Sequence, residues 1–129
     1  YCVYNWYPIT ISSFRKNRLI SKLTTNAPKF FKLVSGSTPG IIVNDYILFI
    51  CHITHHDVPR NYYHLFIKLN LKTFNLLTYS YLFTFEKTPI EYCCGMIYVD
   101  NLLYITYSVK DNTTKILTIS PDDIEYIKN

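Results

Sequence analysis

Four histidines stand close together in the middle of the chain, His52, His55, His56 and His64, with Cys51 beside the first. Imidazole and thiolate are common zinc ligands, and a site would need three or four of them converging at about 2.0–2.3 Å. The spacing H-x-x-H-H matches none of the strong zinc patterns. His55 and His56 therefore read as exposed loop histidines, and metal binding through Cys51, His52, His55 and His56 is the third-ranked reading. His52 differs, because it closes the apolar run Ile47–Ile50 just before a loop. An imidazole there either completes a core or lines a channel.

Carboxylates are few. Glu91, Asp111 and Asp57 are the candidates for chemistry, since two carboxylates flanking a glycosidic bond are the usual hydrolytic requirement. Asp111-Asn112 reads equally well as a turn, because both side chains favour tight corners. Arg60 stands near Asp57, Pro59 and the pair Tyr62-Tyr63. Arginine and tyrosine suit sugars and phosphate, through forked hydrogen bonds and ring stacking. Arg15, Lys16, Arg18 and Lys22 form a basic group that reads as a solvated turn. No Gly-rich phosphate loop, no G-x-S-x-G and no mechanistic Cys/His spacing occurs, and no cofactor is implied.

The elements that must position these groups show in a repeat. Gly40-Ile-Ile-Val-Asn-Asp-Tyr-Ile-Leu-Phe-Ile-Cys-His-Ile-Thr54 recurs without a gap as Gly95-Met-Ile-Tyr-Val-Asp-Asn-Leu-Leu-Tyr-Ile-Thr-Tyr-Ser-Val109. The match puts Gly40 on Gly95, Asp45 on Asp100 and His52 on Tyr107. Each copy predicts a short strand, a polar corner, a long strand, a polar loop and a third strand. Expected strands lie near 41–44, 47–54, 62–69 and 75–80, then 91–99, 102–108, 114–119 and 124–127. Tyr1–Ile11 predicts one or two strands broken at Tyr7-Pro8, and Leu19–Leu23 a further short one. Ser35–Gly40 is the strongest loop signal, and no segment has helical spacing of apolar residues.

All-strand repeats of about 40–50 residues mark propeller blades. The expected fold is all-β: a partial β-propeller of two to three antiparallel blades, divided as 1–39 (end of a preceding blade), 40–88 and 89–129. Two such repeats cannot close a ring of about four to eight blades. Strands with two apolar faces, such as Ile47–Ile53, need a sheet on each side. The reading therefore expects upstream blades or other copies of the chain as partners, and takes the initial Tyr1 as a cut or a fragment.

Composition agrees. The 129 residues include thirteen Tyr and eight Phe, types that suit pleated, half-buried surfaces. A formal charge of +4 does not call for a nucleic-acid partner. No run of about eighteen apolar residues spans a bilayer, and a cytoplasmic location is expected. Cys2, Cys51, Cys93 and Cys94 lack C-x-x-C spacing and read as buried free thiols, with Cys93 and Cys94 on opposite faces of a strand. Abundant Ile, Asn, Lys, Tyr and Phe point to an AT-rich genome, such as that of a large DNA virus or a protist.

Several segments, in order, resemble the five-bladed propeller proteins of the β-mannoside phosphorylase and hydrolase clan. They are Asn5-Trp6-Tyr7-Pro8, Pro28, Gly36–Gly40, Phe49–His52, Tyr62–His64, Ile90–Gly95 and Tyr107–Asp111. Closer still is the likeness to uncharacterised propeller domains of giant-virus and algal proteins, often found beside glycosyltransferase modules. The resemblance implies that His52 helps hold phosphate, that Asp111 hydrogen-bonds the sugar and that Tyr63 lies beside it. Glu91 and Gly95 would shape the same end of the site.

Departures qualify it. Tyr4 stands where the phosphorylases have a lysine, and their phosphate-gripping arginines and general acid belong to earlier blades. The expectation is a glycan-binding or glycan-processing domain of a larger protein, inactive as this segment alone. The alternative is a non-catalytic scaffold that presents the loop His55–Asn61 to a protein partner.

Overall fold

Three antiparallel sheets follow one another along the chain in the computed structural model, which describes residues 1–56, 58 and 60–128. The first sheet holds β1 (Cys2–Trp6), β2 (Ile9–Arg15) and β3 (Arg18–Thr25) in sequence order. Its two corners follow the sequence signals. Tyr7-Pro8, joined by a cis peptide bond, closes β1–β2, and Lys16-Asn17 closes β2–β3 with φ of 47° and 60°. Asparagine enters that left-handed region more readily than most residues.

The second sheet is built on β6 (Tyr46–His55) and β7 (Asn61–Asn70), with β8 (Leu76–Tyr79) on its far edge. The near edge is split between β4 (Val34–Gly36) and β5 (Ile41–Val43), both pairing with β6. A turn of 3-10 helix, Lys29–Leu33, leads into β4. Val34–Gly36 thus belongs to the middle sheet, although the sequence reading left it in the stretch before the first copy.

The gap between β4 and β5 is closed by polar groups. The backbone N–H groups of Ser37 and Thr38 both donate to the Ile50 carbonyl at 3.1 Å, and the Ile50 N–H donates to Thr38 Oγ1 at 3.0 Å. Gly40 must be glycine for want of space. A Cβ there would lie 2.5 Å from Phe49 Cζ and 2.8 Å from Ile47 Cγ2.

The third sheet contains β9 (Glu91–Val99), β10 (Leu102–Val109) and β11 (Thr113–Ile119). The expected fourth strand at 124–127 does not form there. Pro121–Asp123 makes a 3-10 turn capped by Ser120, whose Oγ accepts from the Asp122 N–H. This redirects the chain to the middle sheet, where Ile127 N–H donates to the Tyr79 carbonyl and Tyr126 bridges Ser80.

Both faces of the middle sheet are covered, as its doubly apolar strands require. One core packs Trp6, Ile9 and Ile11 of the first sheet against Cys51, Leu65 and Ile67. The other packs Leu48, Ile50 and Phe66 against Met96, Leu103 and Ile105 of the third. Burial of apolar surface, about 25 cal/mol per Å², thus holds the three sheets as successive layers.

The sequence repeat and the structural repeat differ by one residue. In β5–β6 the closing pair is Val43 and Tyr46, whereas in β9–β10 it is Val99 and Leu102. Hairpin position therefore matches Asn44-Asp45 with Asp100-Asn101, and His52 with Ser108 instead of Tyr107. Facing agrees: Leu48 and Ile50 point toward the following sheet, while Leu103 and Ile105 point back toward the preceding one. A one-residue slip exchanges the faces of a strand, so the gapless match pairs residues with opposite roles.

Of the thiols, Cys51 and Cys93 are buried, but Cys2 and Cys94 are exposed, contrary to the expectation that all four are covered. Adjacent Cys93 and Cys94 do differ in burial, as alternation on a strand demands. Burial pushes the Cys93 thiol up to about 12.

Candidate functional site

The end of the molecule where β6 finishes and β7 and β9 begin gathers most of the polar chemistry. His52 and His64 are directly opposed across β6–β7, so both side chains point to the face that meets the third sheet. Their ring centroids are 6.3 Å apart. Tyr62, two residues before His64, shares that face and meets His52 edge-on at 5.6 Å. Tyr92 completes the group, with its ring 5.1 Å from His52 and 5.4 Å from Tyr62.

Each imidazole is held differently. His52 Nδ1 shares a hydrogen bond with Ser37 Oγ at 2.7 Å, so the loop pinned to Ile50 also orients this ring. His64 is fully buried, and its Nε2 accepts the Cys93 N–H at 3.1 Å. That acceptor nitrogen carries no proton, so the neutral ring bears its proton on Nδ1. Nδ1 is buried without a hydrogen-bond partner among the described residues.

Burial lowers the affinity of both rings for a second proton, and the proximity of His52 adds to this at His64, which is pushed down to about 4. Both are therefore neutral at pH 7. His52 would meet a ligand as a neutral hydrogen-bonding group and not as a cation, which weakens the phosphate-holding role that the resemblance implied.

Glu91 is fully buried and its carboxylate is already engaged. It accepts from the backbone N–H groups of Phe85, Glu86 and Thr88 and from the Thr88 hydroxyl. The sequence reading made it a substrate contact. The geometry instead makes it the clamp of the loop before β9. Phe85 of that loop stacks on Tyr107 at 4.3 Å and meets His64 at 5.0 Å.

Tyr63 also changes place. It pairs with Ile53 on the opposite face of the middle sheet from His52. Tyr62, not Tyr63, is the aromatic beside the histidine, because neighbours on a strand alternate.

Arg60 and Asp111 are exposed at the same end. Backbone bonds stitch their segments together: Ile90 N–H donates to the Arg60 carbonyl at 3.2 Å, and Lys110 N–H to the Ile90 carbonyl at 2.9 Å. Asp111 itself sits in the β10–β11 turn with φ 56°, so its turn role is real whatever else it does. Asp57 and Pro59, and the side chain of Lys22, lie outside the described residues. Arg15, Lys16 and Arg18 are exposed around the β2–β3 turn.

Among the described residues no group of three or more His, Cys, Asp or Glu side chains could hold a metal ion, and no helix is long and apolar enough to cross a membrane. A polar cleft of about 270 Å³ adjoins the cluster, lined by Asn61, Tyr62, Tyr63, Thr84, Lys87 and Thr88. Its size suits one or two small polar groups. From sequence, Tyr62 entered only as the neighbour of Tyr63 near Arg60 and His64 only as one of four histidines, while Ser37 and Tyr92 were not read as site residues. Strand alternation around His52 could have found Tyr62 and His64, but the contacts of Ser37 and Tyr92 depend on how separate segments pack.

No family model, curated protein or solved structure matches this chain.

Proposed function

We propose that this chain is a glycan-binding domain built as part of a β-propeller, and that it recognises sugar at the end carrying His52. The observation that carries the reading is the cluster of His52, Tyr62 and Tyr92, beside a polar cleft and on the same end as Arg60 and Asp111. Half-buried tyrosine rings offer apolar faces to the C–H side of a sugar and hydroxyls to its polar rim. A neutral imidazole fixed by Ser37 adds an oriented hydrogen-bonding group. Arg60 would supply charge for a phosphorylated ligand.

Three successive layers of antiparallel strands, the first two with their opening hairpin in the same relation to the layer that follows, support the propeller arrangement. Further sheets would continue the stack at both ends and bring in catalytic groups, if the parent protein builds or trims surface glycans. Catalysis is no part of the proposal for this chain. Glu91, one of the three candidate carboxylates, is committed to the loop.

The test is calorimetric titration of the chain with mannose-containing and other oligosaccharides, with and without phosphate. Saturable binding that falls at least tenfold in both His52→Ala and Asp111→Ala supports the reading. Binding indifferent to both changes places the ligand elsewhere.

A second reading, a scaffold for a protein partner, rests on the loop between β6 and β7. Val58 there is 99% exposed, an apolar side chain offered wholly to the surroundings. Absence of sugar binding, together with capture of a partner that Val58→Asp abolishes, would favour it.

A further inference from the structure

The split edge of the middle sheet opens a cavity on the face away from His52. β4 pairs with β6 as far as Cys51, and β5 takes over only at Leu48. Gly36, Thr38, Pro39 and Gly40, around the segment that joins β4 to β5, line a cavity of about 490 Å³ there. The first sheet contributes Val3, Trp6 and Ile11 to its wall, and the middle sheet contributes Ile47, Phe49 and Leu69. Ile47 and Phe49 point to the opposite side of β6 from His52, by strand alternation.

Trp6 supplies a directed polar group in this apolar wall. It is 7% exposed, and its indole N–H has no acceptor among the described residues, yet the nitrogen is not sealed off. A Cβ added to Gly36 would lie 3.8 Å from Trp6 Nε1, which sets the N–H edge beside Gly36 at the cavity. Thr38 Oγ1, also in the wall, already accepts the Ile50 N–H. An ordered water needs about two to four polar partners, and this wall offers few. A ligand oxygen would satisfy the indole donor while the rest of the ligand covers apolar surface.

The lining also selects the kind of ligand. Two aromatic pairs border the cavity: Trp6 meets Phe49 edge-on at 5.2 Å, and Tyr1 meets Phe74 at 5.7 Å with the rings tilted by 44°. Such faces and edges suit a flat ring. No charged side chain among the described residues lines the space, so an ionic ligand would lose hydration there without a partner. The volume falls within the range of small-molecule sites, about 300–1,000 Å³.

We infer that this cavity binds a small neutral aromatic molecule carrying one acceptor oxygen, with its ring against Phe49 and Phe74 and its oxygen on Trp6 Nε1–H. The site lies between two layers of the chain itself, not on an outer face of the stack. It is separate from the carbohydrate reading above and does not rest on it.

Trp6 is the single tryptophan of the chain, so its indole N–H gives one cross-peak of its own in a nitrogen–proton correlation spectrum. Acetophenone, a benzene ring with one carbonyl oxygen, is the molecule to titrate. It should move that cross-peak downfield to saturation, together with the amides of Gly36 and Phe49. Ethylbenzene has the same outline without the oxygen and should bind about fivefold more weakly, while benzoate should leave the peak in place. Gly36→Val fills the space beside Nε1. Gly36 has no positive φ and its added Cβ makes only ordinary contact, so the fold should tolerate the change; circular dichroism checks this, with Gly36→Ala as a smaller block. The blocked variant should lose acetophenone binding. An indole peak that stays still up to the solubility limit of acetophenone overturns the inference. So do equal affinities for acetophenone and ethylbenzene, a shift caused by benzoate at matching concentrations, an undiminished response in the blocked variant, or movement centred on the amides of His52 and Tyr92.

Discussion

His64 shows most directly how a single side chain can be committed by its surroundings. It accepts a backbone N–H from the third sheet, is fully buried, and is kept neutral with its proton affinity pushed down to about 4. The folded state thus refuses a proton that the unfolded chain accepts below its ordinary value of 6.5. Stability from this group is fully present above that value, drains as pH falls through the window between the two, and levels off below the lower one. A difference of this size corresponds to about 3 kcal/mol. Urea midpoints measured from pH 7 to pH 4 should decline, and His64→Gln should remove this part of the slope. Equal slopes in the two proteins would show that His64 is not the group responsible. His52, also buried but tied to Ser37 instead of a strand amide, is the residue whose remaining ring edge can serve a ligand.

Between elements, the decisive feature is the segment linking β8 to β9. It begins as a continuation of the sheet edge, with Phe83 bridged to His64 in both directions at 2.8 and 2.9 Å. It ends folded around the Glu91 carboxylate. Four donors on one buried carboxylate are charge-assisted bonds, stronger than neutral ones. Replacing Glu91 by Gln keeps the shape but opposes an NH2 group to backbone N–H donors. We expect a loss of about 3 kcal/mol, with faster amide exchange at Phe85, Glu86 and Thr88 before any global change. Unaltered protection at these three amides would mean that the loop is held by Phe85 stacking on Tyr107 alone. The prediction concerns the element because the cleft wall, including Lys87 and Thr88, moves with it.

At the scale of the whole molecule, the chain end locks two layers. Tyr126 and Ile124 pack into the core between the second and third sheets, while Ile127 bonds back to Tyr79. Lys68 lies over the rings of both Tyr46 and Tyr126, at 4.2 and 4.1 Å, a pair of cation–π contacts. Tyr126→Ala removes ring burial and one of these contacts, and should cost about 2 kcal/mol. Chemical denaturation will check it, and an unchanged midpoint would show that the tail is dispensable to the packing of the two sheets.

The amino-acid order alone determined the all-strand character, the strands between 41 and 119 within about a residue, the corners at Tyr7-Pro8 and Lys16-Asn17, and the need for a layer on each face of β6. These follow from local preferences: alternation, β-branched and aromatic content, and turn residues act over a few positions. Packing alone decided that Val34–Gly36 joins the middle sheet, that the last segment returns to Tyr79, and that Glu91 serves a loop while Tyr62 replaces Tyr63 beside His52. The one-residue offset between the two hairpins is of the same kind. Similar residues occupy both faces of these strands, so composition could not choose the register, and only contact between layers could.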